Sequence, residues 1–213
     1  KVEQHPKHVT MALLHYPVLM AADILIYRAD LVPVGVDQEP HLEISREIAR
    51  KMNSQYGTDF PEPKRFVSKG EYIPSLTGEG KMSKSREGSY ISLSDDLKAI
   101  RKKLAAAPTD RGKGRSVPKE GGVANLLKLV GLFQGEKKRK EYERQYLSVG
   151  ISYNKLKVEL AEAVFGELRP IQERCSQLEG KTGYLRKILE EGGNKARKIA
   201  SQTLRQVKRK MGL

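Results

Sequence analysis

The chain has 213 residues, 38% of them hydrophobic and 31% charged, with a net charge of +14. That is enough for one large domain or two small ones with a packed core. No apolar run reaches the roughly 18 to 20 residues that a membrane helix needs, nothing at the start resembles a signal peptide, and the single cysteine, Cys175, excludes an internal disulfide and fits a reducing cytoplasm.

The charge is unevenly spread. Residues 1–80 hold 9 Lys/Arg against 11 Asp/Glu, and residues 81–213 hold 31 against 15. A basic excess confined to one part of a chain points to an acidic polymer, usually nucleic acid, as partner; a solvated helical surface is the plain alternative. The chain opens on Lys1 rather than Met and runs quickly into apolar sequence. It is therefore expected to begin partway through a longer protein.

In chain order, Val9 to Tyr27 reads as a helix, with Pro17 marking an early turn or kink. Asp30 to Gly35 is short and Val-rich and reads as a buried strand ending at a glycine, although Pro33 removes one ladder donor. Asp37 can cap a second helix, with Pro40 in its first turn, running to about Met52. Residues 53–65 read as loop, Phe66 to Ser68 as a second short strand, and Gly78 to Ser89 as a polar, glycine-punctuated loop. Helix, strand, glycine, helix is the rhythm of an open α/β sheet, where ligands sit beyond the carboxyl ends of strands. After Ser94 helices take over, at 95–107, 123–134, 136–147, 153–178, 184–191 and 194–211, with a Gly-, Pro- and Lys/Arg-rich loop at 108–122. Ser152 and Asn194 are expected caps, and Ile199, Ala200, Leu204, Val207 and Met211 form the last apolar stripe. The division expected from this change of character is an α/β domain over 1–93 and a helical domain over 94–213, the last helix returning to the first domain.

No P-loop, Gly-x-Gly-x-x-Gly, zinc-ligand or Gly-x-Ser-x-Gly signature occurs. Two stretches stand out instead. Asp23 sits within apolar sequence, Met20 to Ile26. A carboxylate buried there needs a cation or a donor, so it either pairs within the core or awaits a ligand N–H. Asp37 and Gln38, past Val34 and Gly35, are open to the same choice between helix cap and ligand contact. Lys81-Met82-Ser83-Lys84-Ser85 sets two ammonium groups and two hydroxyls on a flexible loop. That set can neutralise charge building on a polyphosphate leaving group, or it can be an ordinary lysine-rich surface loop.

Lys81 to Ser85 is, letter for letter, the KMSKS signature of class I aminoacyl-tRNA synthetases. Tyr16 to Leu25 resembles the tryptophanyl family of that class, as do Ala29 to Gln38 with His41 beyond, Ala107 to Asp110, Asn125 to Leu127 and Leu168 to Arg174. The likeness covers essentially the whole chain and looks bacterial. It implies an α/β fold: the C-terminal part of a Rossmann-like parallel-sheet nucleotide domain, followed by an α-helical bundle that meets tRNA. It also implies site residues. Asp23 would accept the indole N–H of tryptophan, Met20, Ile24, Val32 and Val34 would line the indole pocket, and Tyr16 and Gln38 would lie near the amino acid's ammonium and carboxylate. Gly35, Val36 and Asp37 would meet ATP, Val36 standing where the family often has Glu. Ile73 would flank the adenine, and Lys81, Met82, Ser83, Lys84 and Ser85 would form a mobile ATP loop, with Lys81 and Lys84 as the catalytic pair. Mg²⁺ would come with ATP, and no protein metal site is expected.

The implied reaction is ATP-dependent formation of an aminoacyl-adenylate and transfer of its tryptophanyl group to tRNA(Trp), by a cytoplasmic homodimer. The family's other ATP signature, His-Ile-Gly-His, is absent. The resemblance places it upstream of Lys1, so the chain alone is expected not to form the adenylate. The tyrosine-specific relative and a non-catalytic RNA-binding fragment are the alternative readings.

Overall fold

The computed structural model describes residues 10–67, 70 and 72–213. The chain divides into two compact units, Lys1–Glu71 with Gly183–Leu213, and Tyr72–Thr182. The sequence division at 93/94 follows composition; the compact units follow packing, and residues 72–93 fall in the second.

In the first unit, α1 spans Met11–Leu25 and runs through Pro17. The Val9 end of the expected helix lies outside the described residues. Beyond α1, Arg28 turns the chain with a φ of 54°, unusual for a residue with a Cβ. Its guanidinium holds the turn by donating to the carboxylate and the carbonyl of Asp59, each at 2.7 Å.

β1, Leu31–Val32, pairs in parallel with β2, Lys64–Arg65, in the register Leu31 to Lys64 and Val32 to Arg65. Two expectations are corrected here. The first strand is two residues long and is not buried, Leu31 being 56% exposed. The second lies at Lys64–Arg65 rather than from Phe66 onward, and Ser68 is outside the described residues. Polar clamps, not apolar pattern, place it. Arg46 donates to the Pro63 carbonyl at 3.0 Å and to Glu39 at 2.8 Å, and Glu39 also meets Arg65 at 3.3 Å. The apolar pair that suggested a strand, Phe66 and Val67, is exposed.

α2, Glu39–Tyr56, starts with Pro40 in its first turn and ends on Gly57, left-handed at φ 63°. Its buried face of Leu42, Ser45 and Ala49 meets the face of α1 that carries Ala21, Ile24 and Leu25. Gln38, not Asp37, takes the α2 N-cap position, and no side chain caps there.

In the second unit, α3 is Leu97–Ala105, α4 Gly121–Gln134, α5 Glu136–Leu147 and α6 Tyr153–Leu178. Asp96 caps α3 by accepting from the Ala99 N–H at 2.7 Å, and Lys157 closes its other end by donating to the carbonyls of Ala105 and Ala107 at 2.9 and 2.7 Å. α4 is buried on most of its surface; it packs on α5 and α6, and α3 packs on α6. Leu104, Leu126, Leu127, Val130, Leu156 and Leu160 are almost fully buried where these helices meet. Ser152 takes the α6 N-cap position but makes no side-chain cap bond.

The last helix is one element, α7, Thr182–Met211. Two helices broken before Asn194 were expected. Gly192 and Gly193 cost helix stability, about 1 kcal/mol each, but the good helix formers on both sides carry the helix through. Asn194 is interior and accepts from Arg197 at 3.1 Å. Within the first unit, Val207 of α7 packs on Leu25, Ala49 and Phe60. Helices with a small parallel sheet make the chain α/β. Among the described residues, no helix is long and apolar enough to cross a membrane.

Candidate functional site

The residues singled out in the sequence fall in both units. In the first unit, Tyr16, Met20 and Asp23 lie at i, i+4 and i+7 on α1 and share one face. Ile24 is next to that face but is drawn into the contact with α2 and is buried. Asp23 is exposed, which overturns the expectation of a buried carboxylate. Ala21, Ile24 and Leu25 turn into the core, and the helical twist leaves Asp23 on the opposite side. An apolar neighbourhood in sequence is not an apolar neighbourhood in space. Around Asp23, Leu19 and Tyr27 are also exposed.

The Tyr16 hydroxyl is 2.9 Å from His41 Nε2, and the two rings meet edge-on at 5.0 Å with an interplanar angle of 84°. His41 therefore ties the α1 face to the start of α2. His41 Nδ1 is buried without a hydrogen-bond partner among the described residues. The sequence signalled His41 only as a motif letter three residues after Gln38, and the structure supplies its contact.

At the end of β1 the backbone passes Val34, half-buried like Val32, and Gly35 before a short 3₁₀ turn, Val36–Gln38. A Cβ on Gly35 would lie 2.6 Å from Asp37 Oδ1. The glycine is what allows the carboxylate to fold back over the strand end. Gln38 Nε2 donates to the other Asp37 oxygen at 2.9 Å. Asp37 is thus a carboxylate held over a strand end rather than a helix cap. Val36 is 63% exposed.

In the second unit, Ile73, Met82, Ser83 and Lys84 line a cavity of about 400 Å³. Tyr90, Ile91, Ser92, Leu93 and Ser94 complete it and were not foreseen. Backbone pairing explains the shape. The Met82 N–H donates to the Ile73 carbonyl and the Ser75 N–H to the Gly80 carbonyl, each at 2.9 Å. Between them Gly78 and Gly80 turn at φ 92° and 68°. Beneath the turn, Asn125 Nδ2 of α4 donates to the Ser75 carbonyl at 2.9 Å, and Met82 packs on the helical core.

One side chain holds the middle of Lys81–Ser85. Ser89, fully buried, donates its hydroxyl to the Ser83 carbonyl at 2.8 Å and accepts from the Ser83 N–H at 3.2 Å. The Ser83 and Ser85 hydroxyls stand 2.7 Å apart. The side chains of Lys81 and Lys84 are exposed above this frame. A spacing search could not find Ser89, because a serine among serines carries no pattern. The arrangement offers an apolar slot beside hydroxyls and ammonium groups, the combination that takes a heterocycle joined to phosphates. Among the described residues no group of three or more His, Cys, Asp or Glu is placed to hold a metal.

Residues 1–169 match the family described as tRNA synthetases class I (W and Y). The chain is 39% identical to a tryptophan–tRNA ligase of Wolinella succinogenes, over all of this chain and 66% of the relative. It is 40% identical to one of Porphyromonas gingivalis with the same coverage. It thus spans about two-thirds of the length of these curated relatives. Among solved structures it is similar to the tryptophanyl-tRNA synthetase of Mycoplasma pneumoniae, with a TM-score of 0.78 at 30% identity, covering 97% of this chain and 62% of that one. It is also similar to the Campylobacter jejuni enzyme complexed with ADP and tryptophan, with a TM-score of 0.73 at 35% identity, covering 97% and 64%.

Proposed function

The chain belongs to the class I tRNA synthetases of the tryptophan and tyrosine type, and from that premise we propose that it carries the amino-acid face, the ATP loop and the RNA-docking helices of a tryptophan–tRNA ligase. The observation that carries this reading is the Lys81–Ser85 segment framed over the cavity of Ile73 and Met82. The adenine takes the apolar slot, and Lys81 and Lys84 follow the phosphates. They stabilise charge on the departing pyrophosphate while tryptophan's carboxylate attacks the α-phosphate. No side chain becomes covalently attached. Catalysis on this reading is placement plus charge stabilisation. Mg²⁺ enters as the counterion of ATP.

The tryptophan side rests on Tyr16, Met20 and Asp23 sharing a face. Asp23 accepts the indole N–H, and a site built to bond an N–H rejects side chains that lack one. Val32 and Val34 supply apolar contact, and Ile24, buried against α2, supports the face from behind. Tyr16 and Gln38 meet the amino acid's ammonium and carboxylate, Gly35, Val36 and Asp37 are the strand-end residues that meet ATP, and His41 fixes the Tyr16 hydroxyl. The third substrate is tRNA(Trp), and the working protein is a cytoplasmic homodimer.

The chain contains no Trp, so free tryptophan excited at its red edge is the only indole in solution. Adding the 213-residue chain is expected to shift its emission. The Asp23→Asn variant is expected to weaken binding by about tenfold, the loss of one charged hydrogen bond. Tyrosine competing as well as tryptophan would sink the specificity assignment. These residues hold no His-x-Gly-His and are expected to bind without catalysing tryptophan-dependent exchange of pyrophosphate into ATP. Exchange by the chain alone would refute that.

A further inference from the structure

The far wall of the Ile73–Met82 cavity, Tyr90 to Ser94, belongs to no helix or strand. Connecting segments of that kind are ordinarily the mobile parts of a fold. This one is held by side chains from two helices. Gln172 of α6 spends its amide nitrogen on two backbone carbonyls, those of Leu93 at 2.8 Å and Asp95 at 3.0 Å. A side-chain amide nitrogen has two hydrogens, so one residue can grip the chain on both sides of Ser94. Leu93 is 66% exposed, and water alone could satisfy a carbonyl there. What Gln172 adds is position.

The same segment is held from α3. The Asp95 carboxylate accepts from the Ser92 N–H at 2.8 Å and from the Lys103 ammonium at 2.5 Å. That ammonium also stands 4.9 Å from the centroid of the Tyr90 ring, a cation–π contact. Tyr90 lines the cavity and Lys103 does not, so the cation steadies the ring from behind. Ser92 and Ser94 tie the turn to itself, their hydroxyls 2.9 Å apart, and Ile91 packs on the helical core. On α6 the bond from Gln172 is set apart from its surroundings. Past Leu168 the helix is exposed to Leu178 except at Gln172, which turns inward onto the wall.

We propose that Gln172, helped by the Asp95–Lys103 pair, is a positioning residue for the nucleotide: it fixes the Tyr90–Ser94 wall relative to Ile73 and Met82, so that the slot is preformed for a purine. The proposal rests on the ATP reading above and deepens it by naming what sets the shape of that slot. A wall that the ligand must order lowers the ligand's affinity, and a wall already held does not. A preformed slot also selects by size. A purine fills it, whereas a smaller pyrimidine leaves contacts with the wall unmade. Gln172 touches no substrate and acts through the backbone of Leu93 and Asp95.

The test uses the 213-residue chain, with ATP and CTP, each with Mg²⁺, displacing a fluorescent ATP labelled on its ribose. Gln172→Met keeps the side-chain length and a good helix former but removes both donors. It is expected to weaken ATP about tenfold and CTP under about twofold, so that the preference for ATP collapses. Gln172→Arg puts donors back and should restore most of the affinity. Lys103→Met should weaken ATP about threefold, since the Ser92 N–H still holds Asp95. Lys84→Gln removes a contact to the phosphates instead and should weaken ATP and CTP alike. Circular dichroism confirms that each variant is folded. Equal ATP affinity in Gln172→Met, a parallel fall of ATP and CTP in that variant, or no recovery in Gln172→Arg would each overturn the proposal. If the wild-type chain binds no ATP, the ATP reading of this cavity falls and takes the proposal with it. If it binds ATP and Gln172→Met binds equally well, the proposal falls alone and the ATP reading stands.

Discussion

The second unit gathers seventeen buried apolar residues into one cluster, from Leu76 to Leu168. Among its described residues the first unit buries Ala21, Ile24, Leu25, Leu42, Ala49 and Phe60, and leaves Met11, Leu14, Val18, Leu19, Leu31 and Val36 exposed. The candidate residues of each unit inherit this difference. The Lys81–Ser85 loop is bonded to a finished core through Asn125, Met82 and Ser89. The α1 face with Asp23 is carried mainly by α2 among the described elements, and the strand end with Gly35 continues a two-stranded parallel sheet, where parallel strands are normally covered on both faces. A short motif can look equally strong in sequence whether or not the scaffold beneath it is closed.

The largest test of this contrast is core truncation. Leu160→Ala removes a fully buried side chain from the second unit and is expected to cost about 2–5 kcal/mol in urea unfolding. Leu31→Ala on β1 should stay within about 0.5 kcal/mol. Equal losses would break the comparison.

A second test probes the polar seating of the basic loop. Burial pushes the Asp110 carboxyl up, but the Tyr146 and Tyr153 hydroxyls and the Gly112 N–H outweigh it and hold its pKa below the ordinary Asp range. A depressed carboxyl contributes stability that is fully present above its unfolded pKa. That stability is lost as pH falls through the lower folded value. Asp110 is partly open to solvent, which screens its charge, so Asp110→Asn is expected to cost about 1 kcal/mol at neutral pH, and the gap from wild type should close on acidification below about pH 4. A gap that persists in acid would show that the charge is not what matters.

The smallest effect is local. Ser89→Ala removes both bonds to Ser83, worth about 1 kcal/mol, and should speed tryptic cleavage after Lys84 and Arg86 several-fold with little change in global unfolding. No change in cleavage would mean that the loop is held by its backbone pairing alone.

How legible the molecule was in its sequence varied by element. α6 is found where its apolar period and Ser152 placed it, because a long amphipathic run on a closed core has no competing solution. β2 was missed because two arginines and a glutamate, not an apolar alternation, set its position. Gly192 and Gly193 suggested a break, but local propensity is a weak prior against a long run of helix formers. Asp23 was misread because one-dimensional apolarity says nothing about which helical face meets a neighbour. Ile73 and Met82 fall beside one cavity, while Tyr90 to Ser94 carry no signature and are found only through the fold. The seating of Asp110 depends on tyrosines 36 and 43 positions away, a separation that no local pattern reveals.

Cys175 is the one sulfhydryl in the chain and stands exposed on α6. The molecule is therefore chemically addressable at a single atom. A maleimide dye attached there marks the helical unit alone, at one label per chain, so its unfolding can be followed apart from the tyrosine signal of the whole. The same thiol has no intramolecular partner, so air oxidation can couple it only to another molecule. A reductant-sensitive dimer on a gel would be a storage artefact, distinct from any assembly made by the fold.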